Sequence, residues 1–135
     1  MQSTPELACL AIAAAAKALM WVPYILARIA TNGPLRALGN PASFLPGDPA
    51  WAQRAKRAHA NAVENLVVFA PLVLIAAALG VSTGATVVAG KVYLLARLVH
   101  YVVYVAGVPG VRTLAFLTGF GATVVFALTI FEHAV

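Results

Sequence analysis

The chain has 135 residues, 62% of them hydrophobic and only 10% charged, and it carries a formal charge of +5. Its mean hydropathy is +0.91. Soluble domains carry roughly 25% charged residues, and disordered chains are polar, so an integral membrane protein of a single domain, residues 1–135, remains.

The first apolar stretch, about residues 7–30, is long enough to cross the ~30 Å hydrocarbon layer. It carries Lys17, Trp21, Tyr24 and Arg28 at steps of +4, +3 and +4, which places them on one stripe of a helix. A polar, Gly- and Pro-rich loop follows over 31–49, with Asn32-Gly33-Pro34, Asn40-Pro41 and Pro46-Gly47-Asp48-Pro49. The second span, about 51–79, starts amphipathic. Arg54, Arg57, Asn61 and Glu64 recur there at +3, +4 and +3. A tight turn at Gly80–Gly84 leads to the third span, about 85–106, where Tyr93, Arg97, His100 and Tyr104 again form one stripe. Gly107-Val108-Pro109-Gly110 opens the fourth span, about 111–131, with Arg112 and Thr113 in its first turn. The expected fold is all-α, a four-helix up-down bundle in the membrane.

The bases cluster beside spans, as topology signals do, rather than as phosphate grips for nucleic acid. Arg28, Arg36, Arg54, Lys56 and Arg57 all lie between the first two apolar blocks. By the positive-inside rule this loop faces the cytoplasm and both termini face out. The Ala- and Val-rich composition suggests a bacterial inner membrane. No metal-ligand spacing stands out, and the single Cys9 reads as a small apolar residue in a helix.

Ionisable side chains inside lipid are costly and usually face the bundle interior. At 1.5 Å per residue, Lys17, Glu64 and Arg97 lie roughly 14–16 Å below the basic interface. The expectation is that Glu64 pairs with Arg97, with Lys17 nearby. Asn61, His100, Tyr104, Arg57 and Arg112 then form a basic cavity opening toward the loop side. Arg112 and Thr113 at a helix start suit a small anion, and such surroundings lower the pKa of a thiol.

The segment Arg54-Ala55-Lys56-Arg57-Ala58-His59-Ala60-Asn61-Ala62-Val63-Glu64-Asn65 resembles the second-helix signature of the MAPEG family, the membrane-associated proteins of eicosanoid and glutathione metabolism. Asn40-Pro41 upstream fits it, as does Arg97-Leu-Val-His100-Tyr-Val-Val-Tyr104 followed by a short turn and Arg112. The resemblance implies a homotrimer that binds glutathione between subunits and conjugates it to lipophilic electrophiles arriving from membrane lipid, or reduces lipid hydroperoxides. Carried over by position, Arg28, Arg57, Asn61, Glu64, Arg97, His100 and Tyr104 would contact glutathione. Arg112 would stabilise its thiolate, and Thr113 would offer a hydroxyl beside it. The chain departs from the family's synthases at Ala60, where they often have Arg, at Ala62, where they often have Asp, and at Phe116, where they have Tyr. Two other readings stay open: a small four-helix transporter with Glu64 as coupling carboxylate, and a glutathione-binding membrane protein without turnover.

Overall fold

In the computed structural model, residues 2–40 and 45–135 are described. Pro41 of the Asn40-Pro41 pair lies outside them. Among the described residues there are helices and no strands. The elements are α1 (Pro5–Leu19), α2 (Val22–Asn32), α3 (Pro34–Ala37), α4 (Ala50–Ala78), α5 (Gly84–Ala106) and α6 (Pro109–Ala134). Four stretches are long and apolar enough to cross a membrane: α1 with α2, then α4, α5 and α6.

The first span is not one continuous helix. It breaks at Met20 and Trp21, and α2 restarts with Pro23 in its first turn. Proline has no N–H to continue the ladder. Tyr101 of α5 reaches across and donates to the Met20 carbonyl at 3.2 Å, as lipid requires of a backbone group near a break. The break also divides the expected stripe. Lys17 and Arg28 are buried, while Trp21 is exposed.

Several helix ends follow local chemistry. Thr4 caps α1. Thr83 and Thr86 form a reciprocal capping box at the start of α5. Gly107, at φ 80°, ends α5 in the left-handed conformation. Arg54 of α4 donates from Nε to the carbonyl of Val105 at 2.8 Å, so one of the loop-side bases closes the end of a neighbouring helix. The loop between the first two spans is not wholly irregular, because Pro34–Ala37 winds one short helix.

α5 and α6 pack along their length, and α1 and α4 pack against α5. The apolar core lies in the half of the bundle away from the basic loop. Leu10, Phe69, Val73, Tyr93, Phe126 and Ile130 meet there. Phe69 stacks on Tyr93 with centroids 3.5 Å apart and meets Phe126 edge-on at 5.3 Å. In lipid, such close packing rather than escape from water holds helices together. Beyond the core, at the far end, Glu6 is 3% exposed. It accepts from Thr86 Oγ1 at 2.6 Å and Ser82 Oγ at 2.9 Å, fastening the start of α1 to the start of α5. Gly90 of α5 faces Cys9 and Glu6 of α1, where a Cβ would reach ordinary van der Waals contact at 3.7 Å.

Candidate functional site

The polar residues begin where the apolar core stops, on the loop side. α5 presents Tyr93, Arg97 and His100 inward, all buried, as its stripe predicts. Arg97 is 1% exposed. Its Nη2 donates to Asn61 Oδ1 at 3.0 Å, and its guanidinium lies 5.5 Å from the Phe116 ring. Gly119 of α6 makes room for it, because a Cβ there would meet Arg97 Cδ at 3.1 Å.

The expected Glu64–Arg97 ion pair is not formed. Glu64 is exposed on the outer face of α4, and Arg97 is held by Asn61 instead. The reason lies in which face of α4 packs. Ala52, Ala55, Ala58 and Ala62 are the buried residues of its first half. Small side chains let backbones approach closely, so the alanine stripe turns inward and the polar stripe turns sideways. Asn61 sits on the edge between the two and dips into the protomer. Arg57 and Glu64 lie further round and are exposed.

Lys17 is 5% exposed, and its ammonium lies 5.6 Å from the Tyr93 ring centroid. Among the described residues, no carboxylate forms an ion pair with Lys17 or Arg97. Two cations are therefore enclosed in the middle of the protomer, which gives the polar layer a positive character.

Above this layer is a polar pocket of about 240 Å³, lined by Asn61, His100, Tyr104, Arg112, Thr113 and Phe116. The guanidinium of Arg112 stacks on the Tyr104 ring at 4.6 Å. The His100 ring meets Tyr104 edge-on at 5.5 Å and Phe116 at 6.3 Å. Asn61 Oδ1 accepts from Arg97 and also lies 3.4 Å from Asn65 Nδ2. Its oxygen is thus committed to protein donors. The Thr113 hydroxyl donates to the Pro109 carbonyl at 3.1 Å. Pro109 supplies no N–H, and the Arg112 N–H pairs with Val108. The helix start therefore offers the pocket its arginine side chain more than its backbone donors. A larger cleft, about 380 Å³, runs along the other side of the α5/α6 pair. Val92, Leu95, Val99 and Leu114 line it without any charged group, so the smaller pocket is the one equipped for an anion.

Of the sequence-derived candidates, Asn61, His100, Tyr104, Arg112 and Thr113 converge on this pocket, with Arg97 beneath it. Arg28, Arg57 and Glu64 do not line it. Arg28 is buried in a different cluster. Its Nη2 donates to Asp48 Oδ2 at 2.8 Å, Leu45 N donates to the same oxygen at 2.8 Å, and Asn32 donates to Oδ1 at 3.2 Å. The Arg28 hydrogen bond holds the Asp48 carboxyl below its ordinary pKa. Sequence reasoning passed over Asp48. The available signal was that it is the one acid among the bases of that loop. Sequence reasoning also passed over the pairing of Tyr24 OH with His59 Nδ1 at 2.8 Å, which ties α2 to α4.

The model of the MAPEG family matches residues 7–131 of the chain. No individually curated protein matches it.

Proposed function

Because the chain belongs to the MAPEG family, we propose that it is a membrane-bound glutathione transferase whose Arg112 pocket activates the glutathione thiol. The observation that carries this reading is the Arg112 guanidinium stacked on Tyr104 over a pocket completed by Asn61 and His100. A polar anionic tripeptide fits the chemistry of the donors. His100 Nδ1 and two nitrogens of Arg97 are buried without a hydrogen-bond partner among the described residues, and buried polar groups require one. Cations beside a thiol favour its thiolate form. The thiolate sulfur attacks the electrophilic carbon of a lipophilic substrate, a C–S bond forms, and the leaving group departs with the electron pair. The bilayer is the natural solvent of that substrate.

Arg57 and Glu64 enter the same reading through assembly. They stand exposed on α4, and ionisable side chains at membrane depth usually face protein rather than lipid. A neighbouring copy in a homotrimer would cover them and place them toward a shared glutathione site. We place the basic loop on the cytoplasmic side of a bacterial inner membrane, with both termini outside. The transporter reading needs Glu64 inside a cavity, and the carboxylate is on the outer face instead.

The test is glutathione binding to purified protein, followed by the ultraviolet absorbance of the bound thiolate, then conjugation of a chloronitrobenzene. Arg112→Ala is expected to lose the thiolate signal while keeping the oligomer. Absence of binding at millimolar glutathione overturns the proposal. Phe116 favours one second reading, binding without turnover, because it brings no hydroxyl to the pocket. A thiolate signal without conjugation would select it.

A further inference from the structure

The loop-side bases are not equivalent in the structure. Arg28 is engaged by Asp48, and Arg54 closes the end of α5. Arg36 is different. It is exposed on α3, between Leu35 and Leu38, which are 88% and 81% exposed. Two leucines three residues apart share one side of a helical turn, and none of the described residues covers them. The exposure of paired large apolar side chains marks a contact surface.

We propose that the turn Pro34–Leu38 is an anchor that docks into an anionic bilayer surface, with Leu35 and Leu38 in the acyl boundary and Arg36 on lipid phosphates. Position supports this. The first span, Pro5–Asn32, has 28 residues, or about 42 Å of helix, against a hydrocarbon layer of ~30 Å. Its end therefore reaches the headgroup level, and α3 begins after a single intervening residue, Gly33. Gly33, at φ 83°, turns the chain out of the span direction. Trp51, partly exposed at the start of α4, is the aromatic expected at that level.

The backbone permits the docking. Ala37 N bonds Gly33 O at 3.1 Å, and Leu38 N bonds Pro34 O at 3.0 Å, so the turn carries its own hydrogen bonds into a layer poor in water. Charge selects the occupant. The chain is +5, Arg36 projects beside the leucines, and the one acid of this loop, Asp48, is already bound by Arg28. A second copy of the same turn would bring arginine against arginine. An anionic phospholipid surface complements it, and each base near such a surface strengthens binding about fivefold.

The experiment uses the full chain in nanodiscs of phosphatidylcholine, with and without phosphatidylglycerol. A nitroxide is placed by Leu38→Cys in a Cys9→Ala background. The label is expected to be reached by oxygen more readily than by a water-soluble nickel chelate. In native mass spectrometry, phosphatidylglycerol is expected to be retained over phosphatidylcholine, and Arg36→Gln is expected to lower that preference about fivefold. Leu38 and Arg36 are exposed; Cys9 is buried, so the Cys9→Ala background is first matched to the native chain in its unfolding and oligomeric state. Two results overturn the proposal. One is free access of the nickel chelate in both bilayers, which means a solvated loop. The other is equal protection from both reagents in lipid-free detergent, which means cover by a second copy.

Discussion

Asp48 allows the sharpest quantitative test of the fold. Its carboxylate accepts from Arg28, Leu45 and Asn32 at 2.8, 2.8 and 3.2 Å. The Arg28 and Asp48 side chains are 9% and 5% exposed. Asp48→Ala strips all three donors of their acceptor and leaves the guanidinium without its carboxylate. Breaking a buried pair costs about 3–5 kcal/mol, whereas a surface pair contributes about 0–1 kcal/mol. At this burial, we expect about 3 kcal/mol, measured as the shift in reversible unfolding by sodium dodecyl sulfate in mixed micelles. A double-mutant cycle with Arg28→Gln should show coupling well above the surface range. A loss below about 1 kcal/mol with no coupling would refute the reasoning. The acid limb gives a second check. The folded-state pKa of Asp48 lies below the ordinary carboxylate value. Its contribution is therefore complete above that ordinary value and is lost as pH falls through the folded one. Asp48→Asn should flatten this part of the stability profile.

Phe69→Ala removes a fully buried ring stacked on Tyr93 and should cost about 3–5 kcal/mol in the same unfolding assay. Thr86→Val removes a 2.6 Å donor to the buried Glu6 and half of the α5 capping box; a loss of about 2 kcal/mol is expected. Gly119→Val drives a side chain against Arg97 Cδ and should cost about 1–3 kcal/mol. By displacing Arg97 from Asn61, it should also weaken glutathione binding at the pocket, read by titration calorimetry. Arg54→Met removes the bond to the Val105 carbonyl and should destabilise the protein by about 1 kcal/mol, with faster amide exchange at the end of α5.

Much of the site was legible because α5 obeys simple periodicity. Tyr93, Arg97 and His100 are the large polar members of a helix packed by α1, α4 and α6, so their stripe has nowhere to go but inward. The short turn after Tyr104 then fixes Arg112 opposite it. The reading of α4 failed for a definable reason. Its polar residues and its small residues each form a stripe, and periodicity does not rank two stripes. Close approach of the helices favours alanine at the contact, and only the packed structure shows that Ala55, Ala58 and Ala62 take it.

The amino-acid sequence by itself determined that the chain is a membrane protein with four spans, where its turns lie, and which family its motifs resemble. Those properties follow from hydropathy, turn chemistry and residue spacing, which are local. The tertiary structure decided the partners: Asn61 rather than Glu64 for Arg97, Asp48 for Arg28, Val105 for Arg54 and Tyr104 for Arg112. A charged side chain several carbons long can reach more than one neighbour. Which one it meets depends on the rotation of each helix about its axis, and packing of small residues sets that rotation.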